Sequence, residues 1–350
     1  MSRSHIKKTA LIFGISGQDG SLLASKLLQE GWRVVGGTRR GNANKYWRLV
    51  ELDIFDKVEL INIHLLEPHM VIDTLKNLRP SHIYHFAGES FIEDSFFQPK
   101  MTIEVNCFSV LNVLEAIRIS SPESRLFFAS SSEVFGSRKL GEKLDETDTF
   151  NPLNPYGVSK LAAQQMISIY RKRHNLHAVS GIMFNHEGPF RARNFVTRKI
   201  TYNLVRLKVE GGPPMQLGNF DSARDWGMAA DYTKIIPSVL ELNTPQDFVF
   251  ATGKLTSVRK FLELSSKAVG FSPAFEGTGK SSICFDKKTG MKLAVVSENY
   301  FRALDTPPLI GNSSRLTKET GFTGSRDIEA IAQNMIEADL YRRKIGHVDV

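Results

Sequence analysis

The sequence predicts an α/β protein: a doubly wound, mostly parallel sheet with a smaller C-terminal α/β domain interleaved with it. Three observations lead there. Short apolar runs alternate with stretches of helical periodicity from Lys7 to Met183. The first run opens onto a glycine loop that a helix follows. After Gly188 the alternation fades, and Val249–Gly253 reads as a late return to the sheet. The expected division is 1–187, with return segments near 220–255, and 188–345.

Lys7–Phe13 is the first strand, buried at its apolar end. It leads into Gly14-Ile15-Ser16-Gly17-Gln18-Asp19-Gly20, and Ser21–Glu30 then carries leucines at helical spacing until Gly31. Glycines there let backbone amides approach a pyrophosphate, and the helix N-terminus adds partial positive charge. Gly14, Ser16, Gly17, Gln18, Asp19 and Gly20 are therefore candidate cofactor contacts. Arg33–Gly37 is the second strand. At its end, where an acid would hold a ribose 2′-hydroxyl, stand Arg39 and Arg40. Arginine pairs bidentately with a 2′-phosphate, so NADP(H) is expected over NAD(H), unless the pair is a solvated loop. Val58–Ile63 is a third strand, delivering His64 and Leu65 where adenine sits. Pro68–Leu78 reads as a helix. The fourth strand, His82–Phe86, brings Ala87, Gly88, Glu89 and Ser90 to the strand ends where ligands of open sheets lie. After a long amphipathic helix, Pro99–Ile119, the fifth strand Arg125–Ala129 delivers Ser130, Ser131, Ser132 and Glu133 to the same rim.

Asn151–Lys160 carries the chemistry. Tyr156 and Lys160 stand four residues apart, on one face of a helix that Pro155 opens. A free tyrosine is a poor base, with a pKa of about 10. A neighbouring ammonium is expected to lower that value and let the pair deprotonate an alcohol. Ala178–Met183 is the sixth strand, ending in Phe184-Asn185-His186-Glu187. Beyond it Arg191, Arg193, Arg198 and Lys199 precede a helix expected over Lys199–Val209, and Arg224 precedes another over Asp231–Leu242. His186 reads either as a satisfied structural histidine or as a cofactor contact. Arg224 reads either as an anion ligand or as a partner of Asp221 or Asp225.

Composition narrows the classes. A chain of 350 residues with 41% hydrophobic and 23% charged residues suits a folded core. Cys107 and Cys284, its two cysteines, offer neither a disulfide framework nor metal-ligand spacing, which suits a reducing cytoplasmic compartment. No membrane-length apolar run appears. The net charge of +8 is spread rather than striped, favouring anionic small ligands over nucleic acid.

Together these segments resemble the GDP-mannose 4,6-dehydratase family of the extended short-chain dehydrogenase/reductase superfamily. The resemblance runs through G-I-S-G-Q-D-G-S-L-L-A (14–24), T-R-R (38–40), S-S-S-E-V-F-G (130–136) and N-P-Y-G-V-S-K (154–160). It continues in F-N-H-E-G-P (184–189), F-V-T-R-K-I-T (195–201), R-D-W-G (224–227), F-V-F-A-T-G (248–253), F-E-G-T-G (275–279) and Y-F-R (300–302). It implies a Rossmann-like domain, a recycled NADP and a GDP-linked sugar, mannose or a related hexose or heptose. Tyr156 with Lys160 would deprotonate the 4-hydroxyl, Glu133 would remove the C5 proton, and Ser131 takes the family's third catalytic position. His64, Leu65, Ala87, Ser90, His186 and Arg191 match cofactor positions; Ser90, Asn185, Lys199, Arg224 and Arg302 match nucleotide-sugar positions. A homodimer or homotetramer is implied. An epimerase or decarboxylase of the superfamily is the alternative, and a non-catalytic dinucleotide-binding regulator a remote one. The chain departs from the family's pattern at His64, Glu89, Phe91, Met101 and Phe190–Asn194, and Glu89 and Phe91 fall near the expected hexose.

Overall fold

The computed structural model describes residues 8–39, 41, 43–139, 141–301, 308–324 and 327–347. Arg40 and Arg302 lie outside the described residues.

Seven strands form the central sheet: β1 (Thr9–Phe13), β2 (Arg33–Thr38), β3 (Glu59–Asn62), β4 (His82–His85), β5 (Arg125–Ser131), β6 (Ala178–Met183) and β7 (Phe248–Phe250). Their order is β3-β2-β1-β4-β5-β6-β7, and every pairing is parallel. The reversal of strand order beside β1 opens a crevice at its carboxyl end, directly above the glycine loop. The longer helices between the first six strands are α1 (Gln18–Gln29), α2 (Pro68–Leu78), α3 (Ser109–Ser120) and α4 (Pro155–His174), while short helical turns over 43–57 link β2 to β3. Successive residues of β1 serve opposite faces. Ala10 and Ile12 pack with Leu23 and Leu27 of α1, whereas Leu11 and Phe13 pack with Leu75 of α2, Val113 of α3 and Ile167 of α4. Each buried strand is apolar on both sides because helices cover both.

The long helix expected over Pro99–Ile119 is interrupted. A helical turn at Pro99–Ile103 passes through a π-turn, Glu104–Phe108, before α3 begins. The extra residue turns Asn106 inward. Its Oδ1 accepts from Glu89 N (2.9 Å), and its Nδ2 donates to Glu89 O and Ser159 Oγ (both 3.0 Å).

A second core gathers α5 (Val196–Glu210), α7 (Val258–Ala268) and α8 (Ile328–Lys344) around a four-stranded sheet of 273–276, 283–286, 292–296 and 215–217. The chain leaves it through α6 (Ala229–Glu241), which packs on the α1 face, and reaches β7. Arg198 does not precede α5 as a free cation. It lies inside the helix, 1% exposed, with Nη2 2.7 Å from Asp339 Oδ1, because α8 presents that carboxylate to it. Arg342 shares Asp339 and reaches Glu51 at 2.7 Å, joining the second core to the first.

Asp225 sits where the two cores meet and is 1% exposed. Its carboxylate accepts from Thr252 N and Oγ1, Gly253 N and Gly311 N. Asp225→Ala orphans three buried amides and should lower stability by about 3 kcal/mol or more. Urea unfolding checks this through a lower midpoint at unchanged slope.

Candidate functional site

The carboxyl edge of the sheet arrays the candidate residues in strand order. Asn62 of β3 leads to His64, β2 to Arg39, β1 to the glycine loop, β4 to Ala87, β5 to Ser131 and Glu133, and β6 to Asn185 and His186. Adjacent strands lie about 4.8 Å apart, so these positions span the length of an extended dinucleotide.

Gly14 holds φ +84, and a Cβ there would stand 2.7 Å from Ala87 N. A Cβ on Gly20 would stand 2.3 Å from Gly14 O. Both glycines are demanded by packing of loop, strand and helix. Gly17 differs: it is the N-cap of α1, without a side-chain cap, which leaves the first-turn amides for an anion. Asp19 turns away from that space. Its Oδ2 lies 2.9 Å from His186 Nε2, while His186 Nδ1 lies 2.7 Å from Phe184 O. Two acceptors call for two ring protons. Burial alone would lower the His186 pKa, but the Asp19 charge and hydrogen bond prevail and raise it; the same pair lowers Asp19 against its own burial. His186 is thus an ionic tie between the loop and β6, and Gln18 Nε2 adds a bond to His186 O at 3.1 Å.

At the β2–β3 end, Arg39 is exposed and its carbonyl accepts from Lys45 Nζ at 2.7 Å. Lys45 was not foreseen from sequence. Burial first, then the Arg39 charge, lowers its pKa. His64 keeps Nδ1 buried with no hydrogen-bond partner, and Leu65 O is fixed by Asn112 Nδ2 at 2.8 Å. Arg48 also escaped notice, since W-R-L-V-E matches no motif. Its Nη1 donates to Ser16 O (3.0 Å) and its Nε to Phe190 O (2.8 Å), bracing the loop from beneath.

At the β5 end, α4 starts with Asn154 as N-cap, whose Oδ1 accepts from Gly157 N at 2.7 Å. The same side chain donates from Nδ2 to Glu133 Oε2 at 2.8 Å. A Cβ on Gly157 would stand 2.7 Å from Glu133 O, so Tyr156 enters beside the Glu133 segment at contact distance. Ser131 Oγ accepts from Glu133 N (3.2 Å) and hydrogen-bonds the Tyr156 phenol. Ser130 instead donates to Gln164 Oε1 at 2.7 Å and ties β5 to α4.

The expected lowering of the Tyr156 pKa by Lys160 is not what this geometry produces. Lys160 Nζ lies 5.9 Å from the Tyr156 ring centroid and donates to Ala129 O at 2.9 Å. Burial pushes Tyr156 up to about 12, the Glu133 charge adding to it and the Ser131 hydrogen bond opposing. Burial pushes Lys160 down to about 8.

Of the residues assigned to a nucleotide sugar, Asn185 accepts at its carbonyl from Gly227 N (2.9 Å), and Lys199 Nζ sits 3.9 Å from the Tyr300 ring centroid. Asp221 pairs with Arg259 at 2.8 Å, the Asp225 oxygens accept from Thr252, Gly253 and Gly311, and Arg224 Nη1 donates to Ala223 O (2.8 Å) from the strand Ala223–Asp225. Arg191 lies over the Phe195 ring (3.6 Å) with its Nε 3.1 Å from Glu187 Oε2. Ser90 is exposed at the rim. Among the described residues no metal-ligating cluster occurs, and no helix is long and apolar enough to cross a membrane.

A parallel sheet in this order, a glycine loop at the crevice and a Tyr–Lys pair facing it define an extended short-chain dehydrogenase/reductase. Solved structures share the scaffold. RMD from Pseudomonas aeruginosa complexed with NADPH superposes with TM-score 0.76 at 20% identity, over 96% of this chain and 100% of that one. UDP-glucose 4-epimerase from Brucella ovis, in complex with NAD, superposes with TM-score 0.76 at 18% identity, over 95% and 98%. The sequence model of the GDP-mannose 4,6 dehydratase family matches residues 11–335. GDP-mannose 4,6-dehydratase of Yersinia enterocolitica is 34% identical over 96% of this chain and 95% of its own length, and that of Homo sapiens 32% identical over 95% and 92%. The chain belongs to the GDP-mannose 4,6-dehydratase family.

Two variants test the site. Asn154→Ala removes a helix cap, at about 1 kcal/mol of stability, and also frees Glu133; turnover should fall at least about tenfold, more than the stability loss explains. Steady-state kinetics alongside urea unfolding compares the two losses. Lys160→Met should abolish turnover yet raise stability at pH 7 by about 1–2 kcal/mol, because it removes a buried ammonium. The sign follows from the lowered folded-state pKa. Below about 8 both states are protonated and the burial penalty is complete; it fades as pH rises toward the ordinary 10.5. Melting curves at pH 7 and pH 10 should show the variant's advantage shrinking.

Proposed function

We propose that this protein is a hydro-lyase that converts GDP-mannose, or a closely related GDP-linked hexose or heptose, to the GDP-4-keto-6-deoxy sugar and water. The observation that carries the reading is Asn154, which holds the Glu133 carboxylate while capping the helix that presents Tyr156. An alcohol oxidation needs only Tyr156 and Lys160; loss of water across C5–C6 needs an additional carboxylate beside the oxidised carbon.

The residues present suit NADP. Gly17, the uncapped start of α1, leaves first-turn amides for a diphosphate, and His64 presents an unpartnered buried nitrogen where the adenine falls. Arg39 and Lys45 stand close enough to raise one another's energy, as expected where a 2′-phosphate is the missing counter-charge. Arg40 is assigned to the same phosphate. When bound, NADP supplies reversible two-electron exchange with the sugar and is left unchanged overall. Ala87, Ser90, His186 and Arg191 line or brace its nicotinamide half.

Tyr156 receives the 4-hydroxyl proton at its phenolic oxygen, with Ser131 Oγ sharing the hydrogen bond. Lys160 supports, through its charge, the phenolate that Tyr156 has to be in order to take that proton. A ketone at C4 acidifies the C5 hydrogen. Glu133 removes that proton and passes it to the departing 6-hydroxyl; once C6 has recovered the hydride, C5 takes up the proton that Tyr156 had received, so no net acid or base is consumed. Lys199, Arg224 and Arg302 are assigned to the diphosphate of the sugar nucleotide and Asn185 to its glycosyl end. The division into 1–187 with returns near 220–255, and 188–345, then separates cofactor and sugar-nucleotide binding. Exposed Phe96, Phe97, Met101 and Phe108 lie on segments that pack against α4, whose own Val158 and Ile169 are exposed, and this supports self-association as a dimer or tetramer. A cytoplasmic location agrees with two buried free cysteines.

Incubation with GDP-mannose and NADP, read by mass, should yield a product lighter by one water; an isobaric product would identify an epimerase instead. Glu133→Gln should permit oxidation at C4 but stall elimination, so that absorbance of reduced cofactor accumulates. Tyr156→Phe should lower kcat at least about 10³-fold with GDP-mannose affinity changed little. Retained turnover in that variant would exclude Tyr156 as the base.

A further inference from the structure

Glu89 is a second carboxylate of the site that the dehydration chemistry does not use. Its peptide is gripped from both sides by Asn106, through Glu89 N to Oδ1 (2.9 Å) and Nδ2 to Glu89 O (3.0 Å). Asn106 is fully buried and also donates to Ser159 Oγ, on the helix turn between Tyr156 and Lys160. The preceding Gly88 approaches so closely that a Cβ there would lie 2.5 Å from Asn106 Oδ1 and 3.4 Å from Lys160 Nζ. Two residues further on, Phe91 meets Phe195 edge-on (6.0 Å), at the start of α5 in the second core, and Arg191 covers that same ring. The 87–91 segment therefore spans the cleft from the Tyr–Lys pair to the opposite lobe, with Glu89 midway.

Glu89 is half-buried, and its carboxylate meets no hydrogen-bond or ion-pair partner among the described residues. A carboxylate left without a partner in the free protein is open to hydroxyl donors and accepts from two of them at once. With Glu133 it also makes the sugar end of the cleft anionic, in contrast to the cationic nucleotide end.

Building on the GDP-sugar reading above, we propose that Glu89 is a specificity-determining residue. It accepts hydrogen bonds from the hydroxyls of a neutral pyranose and excludes sugars bearing a carboxylate. Through Asn106, its position is locked to the catalytic helix, so that a sugar seated on Glu89 is registered against Tyr156.

The test is calorimetric titration of the full chain with NADP bound, in a Tyr156→Phe background that does not consume ligand. GDP-mannose, GDP-mannuronate and GDP are the probes. Glu89→Gln should weaken GDP-mannose about 5- to 10-fold and Glu89→Ala more, while GDP, which lacks the sugar, changes by less than about twofold. Glu89→Gln should also bind GDP-mannuronate at least about fivefold tighter than its parent does. Retained GDP binding reports that the variants are folded. A parent that prefers GDP-mannose over GDP, with both variants keeping that preference, overturns the assignment of Glu89 alone, as does equal loss of both ligands. A parent that binds GDP-mannose no better than GDP defeats the GDP-sugar reading itself, and Glu89 with it.

Discussion

One side chain, Asn154, joins the two halves of the candidate site. Its amide oxygen closes the first turn of the helix carrying Tyr156 and Lys160, and its amide nitrogen holds Glu133 at the end of the neighbouring strand. A carboxylate on a loop would ordinarily sample several rotamers, and a helix start would fray. Tied together, each fixes the other. The absence of a side chain at Gly157 allows this, because any Cβ would collide with the Glu133 carbonyl. Base and acid thus come to share one wall of the crevice although they arise from different segments.

Burial sets the charge balance around that wall. The phenol of Tyr156 is pushed upward and the ammonium of Lys160 downward, each toward its neutral form. At pH 7 the site therefore holds a neutral phenol and an ammonium kept charged against burial, and the stability forgone by burying Lys160 is the kind of strain that functional sites retain. At the other end of the glycine loop the balance is reversed. Asp19 and His186 are charged, mutually neutralised and structural. The glycine loop is consequently held by the Asp19–His186 pair on one flank and by Arg48, which donates to Ser16 O.

The same scaffold serves other chemistry. An epimerase superposes on this chain with TM-score 0.76 at 18% identity, so the sheet and crevice do not specify the reaction. What differs between such enzymes is borne by a few side chains at the strand ends. On the function proposed above, those here are Ser131 and Glu133 after β5 and Glu89 after β4, the last with its peptide held by Asn106 from the π-turn.

Much of this was legible in the linear chain. Alternating apolar runs located all seven strands, including the distant return at β7, because a fully covered parallel strand must be apolar on both sides. Gly14 and Gly20, the Tyr–Lys spacing and Pro155 likewise announced themselves, since each is a requirement of local backbone geometry. Other features were not legible. Asn154 was not singled out as a partner of Glu133, Lys45 and Arg48 match no motif, Arg198 was expected before its helix rather than inside it, and the Tyr156 pKa was expected to fall. Each of these depends on what another segment brings within a few ångströms: β5 beside α4, α8 against α5, the 45–48 turn beneath the loop. Periodicity records which way a side chain points, whereas partner and dielectric arise only when distant parts of the chain pack together.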